Sequence, residues 1–327
     1  MHMTDLWLWV SFGILLVLLL AWDLGVLHRR PHEVRFREAL WQSAFWIVLA
    51  LIFNAAVYVW RGPQSGLEFL TAYLIEKSLS VDNIFVFIMI FQFFRVPGAY
   101  QHRVLFWGVL GALVMRAVFI VTGIRLLEWF HWMTYVFGAF LIFTGVKLVR
   151  DQGKEVDPMA NPVIRWLRSV LPFRTEYEGP RFVVHHEGRR YFTPLFLTLL
   201  VVEFTDLVFA IDSIPAVLAV SRDLFIVYTS NAFAILGLRA LYFVVAGFML
   251  LFAYLSYGLA AILVFVGVKM MIADIYHVPI TWSLAFIAAT LAVALLASLL
   301  KAPEPVLPPE VAEPKPAEPV TTKSLYD

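Results

Sequence analysis

The 327-residue chain contains no cysteine, and only 15% of its residues are charged. The first absence excludes disulfides, thiol nucleophiles and soft thiolate metal sites together. The second, set against about 25% charge in an ordinary soluble domain, leaves too little polar surface to clothe a water-soluble fold of this length. An excess of one sign of charge is also missing. With a formal net charge of +1 there is no field to gather nucleic acid or other polyanions, so no nucleic-acid partner is expected. Nor is there a G-x-x-x-x-G-K-[ST] loop, which argues against ATP hydrolysis within the chain.

What is abundant is apolar. Hydrophobic residues make up 61% of the chain and the mean hydropathy is +0.80. Runs near the ~20 residues that cross the hydrocarbon core lie at about 6–27, 39–60, 68–94, 104–126, 131–149, 193–220, 225–251, 256–274 and 280–300. The expected fold class is therefore all-α: a polytopic helical membrane protein with nine transmembrane helices, its first partner the lipid bilayer. The head of the first run, Met1 to Asp5, carries no Lys or Arg and no small-residue cleavage site follows, so that run reads as a retained span. Lys and Arg concentrate after the first and third runs and in the 150–192 segment, which predicts those connections to be cytoplasmic, the N-terminus outside and the C-terminus inside.

Residues 1–301 read as one transmembrane domain with a cytoplasmic loop at 150–192. Within that loop, Val163, Ile164, Leu167, Val170 and Leu171 recur at helical spacing, which predicts a short helix over 162–173 lying on the membrane. Phe182–His186 and Arg189–Phe192 flank Glu187-Gly188 and predict a small hairpin, with His185 and His186 as solvated loop histidines rather than metal ligands. The tail, 302–327, is Pro-rich and predicted to be disordered. Loop and tail together offer surfaces for protein partners.

A repeat organises the apolar runs. Tyr135 to Lys147 matches Tyr257 to Lys269 without a gap, Arg116-Ala117 matches Arg239-Ala240, and Glu76-Lys-Ser-Leu-Ser-Val-Asp82-Asn83-Ile84 matches Asp206-Leu-Val-Phe-Ala-Ile-Asp212-Ser213-Ile214. Two units follow, about 68–149 and 193–274. Each holds three helices, so the second crosses the bilayer upside down. Such inverted repeats place a substrate site near the midplane, where the halves meet.

Ionisable side chains are costly in that position, at least ~2.5–3.5 kcal/mol each on insertion scales, and each is a functional hypothesis. Glu76, Asp82, Glu203, Asp206 and Asp212 lie inside the third and sixth runs, with Asn54 and Asn83 as neutral amides; Lys77, Arg116 and Arg239 are the cations available as counter-ions or gates. If every acid ionises, the interior is short of positive charge. A hard divalent cation held by Glu76, Asp82, Asn83, Glu203, Asp206, Asp212 and Ser213 would supply it, since such ions prefer carboxylate, amide and hydroxyl oxygens. Asp82 and Asp212 each lie six positions past an acid, about 120° round at ~3.6 residues per turn. Either the polar sector is wide or a helix is interrupted, and Pro215 offers a cause. The competing reading pairs the carboxylates with Arg116, Arg239 and Lys77 and leaves no ion site. Lys147 and Lys269 sit at span ends and should snorkel, while Asp23 has no assigned role.

Glu76–Val86, Phe209–Val217 and Ser230–Tyr242 resemble the signature segments of the TerC family, most closely its Alx-like branch, and the similarity extends over roughly 6–300. The resemblance implies a bacterial inner-membrane protein related to the LysE superfamily of exporters, tied to manganese homeostasis, with Mn²⁺ as the transported ion and no organic cofactor. Tellurite resistance and alkaline-induced expression are associated with the same family. Its acidic motif positions fall here on Glu76, Asp82, Asn83, Asp206, Asp212 and Ser213. A redox-modulating role is also attached to the Alx-like branch, and a chain without cysteine cannot perform it through its own thiols. The expectation is a non-enzymatic metal-ion exporter working by alternating access, with proton exchange as a compatible drive. The alternative is a membrane scaffold that delivers metal. An intramembrane aspartic protease does not fit, because the Gly-x-Gly-Asp element is absent.

Overall fold

The computed structural model describes residues 3–25, 36–150, 172, 177–186, 189–247 and 254–300. Long apolar runs become helices: α1 Met3–Gly25, α2 Phe36–Arg61, α3 Pro63–Phe93, α4 Gly98–Trp129, α5 Met133–Arg150, α6 Pro194–Leu218, α7 Leu224–Leu236, α8 Leu238–Gly247, α9 Leu255–Met271 and α10 Ile280–Leu300. Proline opens α3 and α6 in their first turns, where its missing N–H is no loss. Asp223 caps α7 by accepting from the backbone N–H groups of Phe225 and Ile226. Between α5 and α6 the predicted hairpin is present, with β1 Val183–His186 antiparallel to β2 Arg189–Phe192 and Val184 opposite Tyr191. Its Glu187-Gly188 tip, the predicted surface helix over 162–173 except residue 172, and the tail lie outside the described residues.

Six helices, α1, α2, α4, α5, α6 and α10, are long and apolar enough to cross a membrane, and α7 with α8 makes a seventh if that pair is one span bent by 42°. The chain is an all-α, polytopic membrane protein. Two of the nine expected spans fall short of this measure for physical reasons. The 31-residue α3 carries Glu68, Glu76, Lys77 and Asp82, and α9 is only 17 residues long. A third differs in form: the expected run 225–251 breaks at Gly237. Pro215, by contrast, does not interrupt α6, which continues to Leu218.

Large apolar side chains face outward as well as inward. Trp41, Val59, Val118 and Leu300 are mostly exposed, while Phe69, Ile84, Ile120 and Phe233 are fully enclosed. This distribution suits a lipid surround, where the exterior needs no polar cover. The connections gather in two groups. At one end Arg61 pairs with Asp223 at 3.0 Å, Ser221 donates to Glu68 at 2.6 Å, and Tyr135 donates to Asp274 at 2.6 Å. At the other, Tyr177 donates to the Phe94 carbonyl at 2.7 Å, Tyr242 to Gln101 at 3.1 Å, and Arg103 lies over the Phe182 ring. Helices α5 and α9 touch most closely: a Cβ on Gly138 would meet the Gly267 carbonyl at 2.8 Å, and one on Gly267 the Gly138 carbonyl at 2.6 Å. Only glycine permits backbones to meet at that distance.

Candidate functional site

The interior polar cluster is built around Arg116, which α4 carries into the bundle with its side chain 1% exposed. Glu76 of α3 and Asp206 of α6 approach it from different helices. Nη1 of Arg116 donates to Oε1 of Glu76 and, at 3.0 Å, to Oγ of Ser213. Nη2 and Nε reach the two oxygens of Asp206 at 3.3 and 3.5 Å. Glu76, Asp206 and Ser213 are themselves buried, at 0%, 4% and 2% exposure. The planar guanidinium explains the arrangement, because its fork can serve several oxygens at once where an ammonium would address one point. Two carboxylates against one guanidinium leave an excess negative charge, and Oε2 of Glu76 has no hydrogen-bond partner. Buried charges of this kind are sustained by pairing, and the pairing here is incomplete.

Asp82 and Asp212 find partners other than Arg116. Asp82 of α3 accepts from Ser256 of α9 at 3.4 Å, and Asp212 of α6 accepts from Thr144 of α5 at 3.2 Å. Helices α3 and α6 run unbroken through these positions, and six residues of continuous helix turn Asp82 and Asp212 toward different neighbours from Glu76 and Asp206. Asn83 is buried on α3. Glu203, one turn before Asp206, lies against Gly111 of α4, where a Cβ would collide with its carboxylate. Among the described residues no group of three or more His, Asp or Glu is placed to hold a metal ion.

The expected counter-ions divide three ways. Arg116 serves the acids. Arg239 pairs instead with Asp23 of α1, a residue to which the sequence assigned no role. Lys77 donates to the Ala234 carbonyl at 3.4 Å, and the point where a Gly237 Cβ would stand is 2.7 Å from its Nζ, so it sits at the break between α7 and α8. A cation near the last carbonyls of α7 suits the negative end of that helix. Near the chain's other ionisable groups, the connection after α9 holds Asp274, whose carboxyl is kept below the usual carboxylate range chiefly by the Tyr135 hydroxyl and then by His131.

A helical bundle with apolar side chains facing outward and Glu76, Asp206 and Arg116 enclosed within it defines a polytopic membrane protein with a buried ionic centre. The integral membrane protein TerC family model matches residues 61–304, and the chain belongs to that family. The membrane protein STKORF319 of Myxococcus xanthus is 52% identical over 90% of this chain and 92% of its own length. Relatives carrying the name Alx, membrane-bound redox modulator, are 48% identical in Escherichia coli K12, over 86% of this chain and 90% of theirs, and 47% identical in Salmonella typhi, over 88% and 92%. No solved structure matches the chain.

Proposed function

We propose that the protein exports a divalent metal ion, Mn²⁺, across the bacterial inner membrane by alternating access between two inverted three-helix units, α3–α5 and α6–α9. The observation that carries this reading is the meeting of Glu76 and Asp206, acids at matching positions of the two repeats, at a single enclosed point. The packing of α5 on α9 supports the repeat. Gly138 meets Gly267 while Gly145 meets the Ala260 carbonyl, and exchanging each residue for its repeat partner turns one contact into the other. The two groups of connections at opposite ends support nine passes, with α7 and α8 as one and the N-terminus outside.

In this reading Arg116 stands where the cation would bind. The carboxylates of Glu76 and Asp206 and the Ser213 hydroxyl are hard oxygen donors suited to Mn²⁺. Loading requires the guanidinium to move aside, which couples cation binding to a shift of α4 against α3 and α6. Glu203, beside Asp206, adds a further carboxylate along the same helix. The drive is an ion gradient, protons included.

The test is Mn²⁺ flux into proteoliposomes holding the purified chain under imposed metal and pH gradients. Glu76→Gln and Asp206→Asn should abolish flux while the protein remains folded. Absence of Mn²⁺ movement by the wild type under both gradients would overturn the reading. A scaffold that delivers metal would instead tolerate both substitutions and fail on loss of the 150–192 loop.

A further inference from the structure

A second polar cluster lies at the end of the bundle where α2 meets α3 and α6 meets α7, on the stretch of α4 that follows Arg116. There a cavity of about 400 Å³ opens between α1, α4 and the start of α7. Its polar side holds three guanidiniums, Arg61, Arg125 and Arg222, and two carboxylates, Glu128 and Asp223. Arg61 is tied to Asp223 and Arg125 to Glu128, at 3.0 and 2.9 Å. The Asp223 carboxylate is also engaged by the backbone N–H groups that begin α7. Arg222 reaches only the Thr134 hydroxyl, at 3.5 Å, and among the described residues it pairs with no carboxylate. One positive charge is left over.

The rest of the lining is apolar: Leu8 and Trp9 of α1, Val121 and Ile124 of α4, and Leu224 and Phe225 of α7. Val121 and Leu224 are exposed, so this apolar lining continues onto the outer surface of the bundle. Depth is fixed by a separate feature. Trp7, Trp60 and Trp129, each more than 70% exposed, are the chain neighbours of the cavity residues Leu8, Arg61 and Glu128, and exposed Trp132 and Trp282 stand at the same end. Exposed tryptophans of a membrane protein mark the headgroup level of the bilayer.

A net-positive cleft at headgroup level, floored by side chains that face acyl chains, is complementary to one kind of molecule. We propose that this cavity binds the phosphodiester headgroup of an anionic phospholipid, with Arg222 and Arg125 on the phosphate and the α1–α4–α7 wall along the first acyl carbons. The guanidinium fork suits phosphate oxygens, and basic recesses between transmembrane helices serve lipid headgroups elsewhere. The bound lipid bridges α1 to the units that hold the Arg116 centre.

Native mass spectrometry of the full chain in detergent, titrated with phosphatidylglycerol, tests this. The wild type should retain one lipid, and Arg222→Gln and Arg125→Gln should each weaken retention about fivefold. In lipid-free detergent both variants should melt as the wild type does, which separates lost binding from lost fold. Inorganic phosphate in millimolar excess should not displace the lipid. Undiminished lipid retention by both variants would overturn the proposal. Displacement by phosphate alone would also overturn it, by marking a site for a soluble anion.

Discussion

Arg116 holds the two acids of the buried centre together, and its removal has a calculable direction. Arg116→Gln leaves Glu76 and Asp206 facing each other without a counter-charge. Breaking a buried ion pair on one side costs about 3–5 kcal/mol. The variant should therefore melt well below the wild type in metal-free detergent. Arg116→Lys, which keeps the charge but loses the fork, should fall between them. If the acids form a cation site, Mn²⁺ should recover part of the stability of Arg116→Gln and add less to the wild type, where the guanidinium competes. Equal melting of Arg116→Gln with and without Mn²⁺ would count against a cation site there. These residues were legible in the sequence because an ionisable side chain within an apolar run is conspicuous. Asp23 was equally conspicuous, but nothing in its spacing could link it to Arg239, 216 positions away. Ser256 and Thr144, which take Asp82 and Asp212 away from the centre, carry no mark at all, since hydroxyl residues are common in membrane helices.

At the scale of helices, the sequence repeat located the pair α5 and α9 but not their mutual contact. Two glycines in apolar helices have no signature beyond their position, and only the coordinates show each backbone carbonyl filling the space over the other's Cα. Gly267→Val should push α9 off α5 and destabilise the protein by about 1–3 kcal/mol, the usual penalty of overpacking. Gly13, with open space around it on α1, provides the control: Gly13→Ala should be neutral or raise stability by up to ~1 kcal/mol through helix propensity. Thermal unfolding of the two variants in one detergent checks both. Comparable losses in the two would remove the close-packed seam as an explanation. Helix breaks were less legible. Pro215 attracts attention, yet only Leu218 and the turn before it follow in α6, so few hydrogen bonds are at stake. The actual bend is at Gly237, where Lys77 satisfies a carbonyl near the end of α7. A glycine inside an apolar run gives no hint of a buried lysine on a neighbouring helix.

For the whole molecule, the missing cysteines become an experimental asset, because any introduced thiol is the sole label. Gln64, exposed near the start of α3, shares its end of the bundle with Glu68, Ser221 and Asp223, whereas exposed Arg181 lies beside the hairpin at the end marked by Phe94 and Tyr177. The concentration of Lys and Arg in the connections on the hairpin side predicts that side to be cytoplasmic. In intact cells with the outer membrane permeabilised, a membrane-impermeant maleimide should therefore modify Gln64→Cys readily and Arg181→Cys only after the inner membrane is opened. The reverse pattern would invert the chain in the bilayer, and with it the direction of the transport we propose. Labelling of both positions from outside would go further. Because α3, α4 and α5 separate these two sites, an odd number of crossings must lie between them if the repeat units are inverted, and two thiols on one face would leave an even number. That outcome would remove the upside-down relation of the units, and the Glu76–Asp206 meeting would then be a structural ion pair rather than the junction of two halves.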